Sequence, residues 1–311
     1  MSLPRKAVAV VGATASGKSA VAHQVALELS PQVEIICVDA MTVYRGMDIG
    51  TAKPSHSERS EVSYHLLDVV QPSEEFTLAE FQRQARLAAE EIWSRGHAVL
   101  YVGGTGLYGR AIIDNFEIPG QFLEIRAMLE EEAEYNLLAL YEELQAKDPV
   151  AASKMESNNA RRIIRALEVV RGSGKPFSSF GAELTEYQSS RIPQVGLASD
   201  GPSSHEAVAV RFQRWLDEGL VDEVRRLALS EFPLSRTARQ AVGYKELLAH
   251  IEQDIPLAEC IEDALSASRQ LARRQRAWFR RDPRIEWFDD REVAKRRIIE
   301  VLQTDISIVR D

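Results

Sequence analysis

The chain opens with short, largely apolar runs that alternate with longer segments whose apolar residues recur with a helical period. The runs Ala7–Val11, Glu34–Val38 and Ala98–Val102 are rich in β-branched residues, which is typical of strands buried on both faces. Residues 17–29 and Thr77–Arg95 follow the helical period. Alternating strands and helices predict an α/β fold with a parallel sheet.

The Thr77–Arg95 helix carries start and stop signals. Thr77 and Glu80 have capping-box spacing, and Gly96 stands where a C-terminal cap is expected. Later in the chain, Val195–Asp200 and Ile285–Phe288 read as further short strands.

Between residues 116 and 189 strand signals vanish and acidic, helical sequence takes over. Glu130–Glu132 belongs to this acidic part, and Asn159–Arg171 is helical and rich in arginine. A loop with Gly172, Gly174 and Pro176 follows. We therefore expect a helical insertion domain over 116–189 within a core formed by 1–115 and 190–311.

Composition adds limits on the class of protein. The formal net charge of −9 argues weakly against nucleic acid, although a local basic face can still bind phosphates. The two cysteines, Cys37 and Cys260, lack metal-ligand spacing, so a disulfide scaffold or zinc site is not expected. With no apolar stretch near twenty residues, we expect a cytoplasmic protein without a membrane span.

The first motif with a clear chemistry follows the first predicted strand and fits G-x-x-x-x-G-K-[ST]. It consists of Gly12, Ala13, Thr14, Ala15, Ser16, Gly17, Lys18 and Ser19. Its glycines let backbone N–H groups converge on a phosphate, Lys18 adds positive charge, and the Ser19 hydroxyl suits Mg²⁺. A nucleoside triphosphate or a diphosphate ester would fit this cradle.

Two further polar residues follow predicted strands. Asp39 ends the second strand and could serve as a metal ligand, a base or a turn cap. Thr105 follows Gly103 and Gly104 after the third strand. Because ligands of parallel sheets bind beyond the carboxyl ends of the strands, one site could collect these residues and the glycine-rich loop.

Arginines dominate the segment Arg269–Arg281, which contains six of them and no acidic residue. Arg269, Arg273, Arg276 and Arg280 recur at helical spacing, which predicts one basic stripe suited to phosphate or RNA backbone. A smaller cluster is formed by Arg161, Arg162 and Arg165 on the candidate insertion. A solvated helix face is the alternative interpretation of both groups.

A series of blocks, in order over nearly the whole chain, resembles the tRNA dimethylallyltransferase (tRNA isopentenyltransferase) family. After the glycine-rich loop come Val38–Ala40, Tyr44–Pro54, His65–Asp68, Val102–Tyr108, Asp148–Ala152, Arg161–Glu168, Gly174–Pro176, Gln240–Glu246, Arg269–Gln275 and Trp278–Arg280. The Tyr44–Pro54 block is far more specific than the glycine-rich loop.

The resemblance implies a P-loop NTPase-like core and transfer of a dimethylallyl group from dimethylallyl diphosphate to N6 of the adenosine 3′ of the tRNA anticodon. It places the diphosphate on Gly12–Ser19, with Mg²⁺ at Ser19 and with Arg269 and Arg273 assisting. It makes Asp39 the general base and puts Thr105 at the flipped adenosine or beside the diphosphate. The residues implied to face tRNA are Asp39, Ala40, Met41, Thr42, Thr105, Arg161, Arg162, Arg165, Gln240, Gly243 and Tyr244. A monomer is expected.

Four places depart from the family pattern. Ala40 replaces a serine, Glu156-Ser157 replaces His-Pro, and Ser268 replaces a threonine. The segment Gly201–Glu206 lacks the usual Leu-x-x-Arg, which removes a positive charge on the expected RNA side. None of these departures touches Lys18, Asp39 or Thr105, so we expect activity to be retained.

Three alternatives remain at this point. A small-molecule P-loop kinase would explain the loop and Asp39, but not the basic stripe or the Tyr44–Pro54 block. A prenyltransferase acting on free adenine nucleotides would not need a helical insertion. A non-catalytic RNA-binding regulator would have no use for Asp39 beside an intact P-loop.

Overall fold

The computed structural model describes residues 5–180, 186–190, 192–198 and 202–304, with side chains from residue 206 onward in the last range. The chain divides into two compact units. The first comprises Met1–Ile113 with Ser189–Asp311, and the second comprises Asp114–Gln188. None of the helices in the described ranges combines the length and apolar character that a membrane span requires.

The first unit is an α/β sandwich. Its strands are β1 (Ala7–Val11), β2 (Val33–Cys37), β3 (Tyr64–His65), β4 (Ala98–Gly103), β5 (Gln194–Leu197) and β6 (Ile285–Phe288). Its helices are α1 (Lys18–Glu28), α2 (His56–Glu61), α3 (Leu78–Ser94), α4 (Gly106–Ile113), α8 (Pro202–Asp217), α9 (Leu220–Ala228), α10 (Tyr244–Gln253), α11 (Leu257–Phe279) and α12 (Arg291–Gln303), with α5 to α7 in the second unit.

Within the described residues, the strands form a parallel sheet in the order β3-β2-β4-β1-β5-β6. This result confirms the predicted parallel α/β sheet. Because β1 and β2 both pair with β4, the residues that follow these three strands meet at one edge of the sheet. That edge carries the glycine-rich loop, Asp39 and Gly103–Thr105.

Alternating side chains of the strands feed two hydrophobic cores, one on each face of the sheet. Ala7, Ala9 and Val11 of β1 pack into one core, whereas Val8 and Val10 pack into the other. Burial on both faces explains why the strands are continuous apolar runs. The strand predicted at Val195–Asp200 is β5 and ends at Leu197, and Asp200 lies outside the described residues.

The start of α3 shows how far a capping pattern predicts contacts. The Thr77 side chain accepts a hydrogen bond from the Glu80 amide at 3.1 Å, as expected for an N-cap. The Glu80 carboxylate instead accepts hydrogen bonds from Arg83 and Gln84. The second hydrogen bond of a capping box, from the Thr77 amide to Glu80, is therefore not formed. Gly96 has a φ of 78° just beyond the helix, as its predicted capping role requires.

The second unit is helical and consists of α5 (Leu123–Lys147), α6 (Pro149–Ala152) and α7 (Ala160–Ser173). α5 and α7 pack through a core that includes Leu129, Leu144 and Ile163. Asn136 interrupts α5 with non-helical angles, and its side chain accepts a hydrogen bond from the Ala139 amide. This local cap restarts the helix after the kink.

Candidate active site

The glycine-rich loop has the backbone geometry that an anion cradle needs. Gly12 and Gly17 have φ angles of 154° and 91°, which favour glycine. A Cβ on Gly12 would lie 2.9 Å from the Leu197 carbonyl oxygen, so a side chain there would also clash with β5. Gly17 directly precedes α1, whose unsatisfied first N–H groups and dipole attract negative charge.

Lys18 is the cation that this loop holds closest to the cradle. Its Nζ donates to the Ala13 carbonyl oxygen at 3.3 Å. Burial, and next the nearby Arg211, lower the pKa of Lys18 to about 8, while Asp39 acts in the opposite direction. A bound anion would offset both unfavourable effects, so the site favours a negatively charged ligand.

Asp39 and Thr105 meet beside this loop. One Asp39 carboxylate oxygen accepts the Met41 amide at 2.8 Å, which fixes the orientation of the side chain. The Thr105 hydroxyl donates to the other oxygen at a long 3.4 Å. One carboxylate oxygen is therefore anchored and the other is only weakly held, which suits a group that must accept a proton.

A cavity of about 640 Å³ joins the loop to Asp39. Its walls include Thr14, Ala15, Gly17, Lys18, Ser19, Asp39, Met41, Thr42, Gly50–Pro54, Gly103, Gly104, Arg211, Arg214, Trp215, Ala241, Val242, Ser268, Leu271, Gln275 and Arg291. Thr105 is not among these residues and reaches the site through Asp39. Most members of the predicted loop and of the Asp39–Thr42 segment are thus brought together.

Arg211 and Gln275 are site residues that sequence reasoning missed. Arg211 Nη2 donates to the Thr14 hydroxyl at 2.5 Å, and its guanidinium lies 4.5 Å from the Trp215 ring centroid. Its buried Nε has no hydrogen-bond partner in the part of the chain that the structure describes. Burial, and next Arg214, lower the pKa of Arg211 to about 10. Gln275 Oε1 accepts the Thr14 amide at 2.8 Å. The mixed charges of α8 gave no pattern that singled out Arg211.

The arginine stripe of α11 does not supply the cavity wall. Ser268, Leu271 and Gln275 line it, whereas Arg269 and Arg273, predicted to bind diphosphate, are not among the lining residues. A shift of one position along a helix rotates a side chain by about 100°. Helix α11 thus contributes to the cavity through other residues, and diphosphate binding by Arg269 and Arg273 stays a prediction.

The other residues of the first unit that were predicted to face tRNA have different environments. Met41 and Thr42 line the cavity, and the buried Thr42 hydroxyl has no hydrogen-bond partner among the described residues. Gln240 is exposed in the short 3-10 helix Ala238–Gln240, and Gly243, with a φ of 91°, is the N-cap residue of α10. Ala40, which replaces the family's serine, is partly exposed between Asp39 and Met41.

Tyr244 has a structural role rather than the predicted contact with tRNA. Its side chain is fully buried and its hydroxyl donates to Glu223. Burial, together with the Glu223 carboxylate, raises the pKa of Tyr244. The structure corrects the prediction because this side chain offers no surface to an RNA in the observed conformation.

The three arginines predicted on α7 differ in their environment. Arg161 and Arg162 are exposed in the first turn of the helix. Arg165 donates to the carbonyl oxygens of Gly120 and Pro119 and to the buried Glu168. The Arg165 guanidinium therefore already has three partners within its own unit, whereas its two neighbours face solvent.

The remaining departures from the family pattern have separate outcomes. Ser268 is 4% exposed and lines the cavity, so a smaller hydroxyl-bearing residue is accommodated there. Glu156 lies in the second unit between α6 and α7. Of Gly201–Glu206, Gly201 and the side chains of 202–205 lie outside the described residues.

A parallel sheet with a glycine-rich loop after β1 and a carboxylate after β2 defines a protein with a P-loop NTPase-like fold. The family model for IPP transferase matches residues 42–282. The chain belongs to the IPP transferase family.

Curated relatives agree with this family over most of their length. A tRNA dimethylallyltransferase of a Nocardioides species is 43% identical over 300 residues, which cover 96% of each chain. One from Salinispora arenicola is 44% identical over 283 residues, covering 91% of this chain and 82% of the relative.

Solved structures are similar as well. The tRNA isopentenylpyrophosphate transferase of Bacillus halodurans has a TM-score of 0.67 and 35% identity, covering 96% of this chain and 95% of that one. A eukaryotic dimethylallyltransferase acting on tRNA has a TM-score of 0.74 and 26% identity, and the match covers 91% of this chain and 74% of that one.

Proposed function

We propose that this chain transfers a dimethylallyl group from dimethylallyl diphosphate to N6 of the adenosine 3′ of the anticodon in tRNA, releasing diphosphate. The names of its relatives support the reaction class. The observation that carries the proposal is one cavity that joins the phosphate cradle to the anchored Asp39 carboxylate. A kinase or an NTPase would share the cradle, but the family membership favours transfer of an allylic group.

In the proposed reaction, N6 of adenine attacks the allylic carbon of the donor while the bond from that carbon to the diphosphate oxygen breaks. Asp39 accepts the proton that N6 loses. An exocyclic amine is a weak nucleophile, so orientation and proton removal both matter, and a positioned base contributes about 10²–10⁴-fold. Thr105, through its hydrogen bond to Asp39, would keep the second carboxylate oxygen directed at N6.

Negative charge grows on the diphosphate as it leaves, and the cradle supplies its compensation. We assign this role to the amides of Gly12–Ser19, to Lys18 and to Arg211. The unpartnered Arg211 Nε supports the assignment, since a phosphate oxygen would satisfy it. Gln275 would have to release the Thr14 amide before that donor could bind phosphate.

The residues present fit the Mg²⁺ that the family implies. Ser19 and Asp39 both line the cavity and offer oxygen atoms, the ligand type that Mg²⁺ prefers. In the described ranges no group of three or more His, Cys, Asp or Glu side chains could hold a metal ion. We assign Ser19 to the ion, which when bound would neutralise phosphate charge.

We assign Ala40, Met41, Thr42, Gln240 and Gly243 to the side of the site that faces the flipped adenosine and its neighbours. Base flipping is needed because the reacting amine must leave the stack of the anticodon loop. Arg161 and Arg162 are proposed to contact the RNA backbone. A monomer and a cytoplasmic location stay predictions.

The test is transfer of radiolabelled dimethylallyl groups to unmodified tRNA, with free AMP and ATP as parallel acceptors. Label in tRNA alone is the expected result. Label in a free nucleotide would instead support the nucleotide prenyltransferase. Absence of label from all acceptors, with the donor bound, would contradict the transferase proposal.

A further inference from the structure

Arg291 lies against the P-loop although it is far from it in sequence. It is the first residue of α12, which packs on α1 through Ala294 and Ile298. Lys295 adds an ion pair with Glu28 of α1 at 2.7 Å. Because both helices follow strands of one parallel sheet, this packing brings the start of α12 beside the start of α1.

The contact itself is between the guanidinium of Arg291 and the backbone of Gly17. A Cβ placed on Gly17 would lie 2.6 Å from both Nε and Cζ of Arg291, so the guanidinium occupies the space that a side chain there would take. Both residues line the cavity of the candidate active site. The absence of a side chain at Gly17 therefore admits the arginine to the phosphate cradle.

Nothing in the described part of the chain compensates the charge of Arg291. It has no hydrogen bond or ion pair there, and its side chain is exposed. The neighbouring Asp290 carboxylate instead accepts the amides of Glu292 and Val293, at 2.8 and 3.0 Å. A cation in the first turn of a helix also opposes the helix dipole. Among the described residues Arg291 thus has no hydrogen-bond or ion-pair partner, and it is well placed for an anion.

We propose that Arg291 binds the terminal phosphate of the diphosphate substrate and makes the site selective for diphosphates over monophosphates. This inference rests on the proposed function for the identity of the substrate. Asp39 lies near enough to Lys18 and Arg211 for its charge to act on both. Because Asp39 takes the proton from N6 as N6 attacks the allylic carbon, the phosphate bonded to that carbon must be the one nearer to Asp39. The second phosphate is then left to the Gly17 side, where the exposed Arg291 guanidinium can bind two oxygens at once.

The test compares binding of inorganic diphosphate and inorganic phosphate by calorimetry in the full chain. The variants are Arg291→Ala, Arg291→Lys and, as a matched control, Arg296→Ala, which removes an exposed arginine of the same helix that does not line the cavity. We expect Arg291→Ala to weaken diphosphate binding on the order of tenfold, with phosphate binding changed less than about twofold. Arg291→Lys should retain part of the affinity, and Arg296→Ala all of it.

The proposal is overturned if Arg291→Ala behaves like Arg296→Ala, or if both anions lose affinity equally. It is also overturned if the unaltered protein binds no diphosphate. A parallel transfer assay distinguishes failure of this inference from failure of the proposed function. If Arg291→Ala selectively loses diphosphate binding but the unaltered protein prenylates no tRNA, the Arg291 site is supported and the proposed reaction is contradicted.

Discussion

At the scale of single residues, the two oxygens of the Asp39 carboxylate have different tasks. The Met41 amide holds one of them and the Thr105 hydroxyl contacts the other. An asparagine would keep the amide contact, because its carbonyl oxygen is also an acceptor, but it could not take a proton from N6. Position and basicity can therefore be separated by one substitution.

We expect Asp39→Asn to lower kcat by about 10²–10⁴-fold while tRNA affinity changes little, because a base acts mainly in the transition state. Steady-state kinetics and filter binding of tRNA measure the two quantities. Thr105→Val should lower kcat less, because Asp39 keeps its amide anchor. Lost tRNA binding with kcat preserved would instead make Asp39 an RNA contact.

Lys18 provides a second prediction at this scale, through its pKa of about 8. The free protein holds Lys18 mostly charged at pH 7 and mostly neutral at pH 9. A bound diphosphate stabilises the charged form and raises this pKa, so binding must take up a proton above pH 8. We expect dimethylallyl diphosphate binding to take up nearly one proton at pH 9 and about a tenth at pH 7.

Calorimetry in buffers that differ in ionisation enthalpy measures this uptake directly. Lys18→Met should abolish the uptake at pH 9 as well as weaken binding. Equal proton uptake at pH 7 and pH 9 would show that Lys18 is not the group that titrates.

At the scale of elements, the loop after β2 that lines the cavity is fixed by hydrogen bonds to a buried carboxylate of α9. Glu223 of α9 is 2% exposed and accepts the amides of Asp48 and Ile49 at 3.0 Å each. The Tyr244 hydroxyl also donates to it. Lys53 Nζ donates to Asp68 at 2.6 Å, which ties the same loop to the segment after β3. These contacts give a segment without regular secondary structure a defined position along the cavity.

We expect Glu223→Gln to lower the free energy of unfolding by about 1–3 kcal/mol, because a glutamine N–H₂ group would face amide donors in a buried place. Urea denaturation measures the change, and KM for tRNA should rise with it. Asp222→Asn is the control, since Asp222 is 77% exposed on the same helix and pairs with Arg225 at the surface. An equal effect of the two substitutions would remove this role from Glu223.

At the scale of the whole molecule, the local distribution of charge is a better guide to anion binding than the net charge. The chain has a net charge of −9, yet Lys18, Arg211, Arg214 and Arg291 line a cavity whose acidic residues are Asp39 and Glu58. Local excess of positive charge suits phosphates. Within the second unit, Arg161 and Arg162 are both exposed in the first turn of α7.

We expect the double substitution Arg161→Ala, Arg162→Ala to weaken tRNA binding without changing diphosphate binding. The slope of log affinity against log salt should fall by about one for each lost phosphate contact. Filter binding over a range of salt concentrations measures it. Arg225→Ala with Arg226→Ala, which removes the same charge from α9, should leave the slope unchanged. An unchanged slope in the α7 variant would instead support the interpretation that Arg161 and Arg162 belong to a solvated helix face.

The sequence by itself determined the features that depend on neighbouring residues. Apolar runs predicted the strands other than β3 and their parallel arrangement, and Gly12–Ser19 predicted a tight glycine-rich loop because its conformation depends on local glycines. Asp39 was identified from its place after a strand. Such signals can be read from the sequence because strand burial, turn conformation and helix capping involve residues a few positions apart.

Only the tertiary structure decided which distant side chains complete the site. Arg211, Gln275 and Arg291 reach the loop from α8, α11 and the start of α12, separated from it by nearly 200 residues or more. The same folding placed Ser268, Leu271 and Gln275 of α11 on the cavity wall and buried Tyr244 against Glu223. The physical reason is that helix rotation and helix packing decide where these side chains lie, and both depend on contacts that no local pattern encodes.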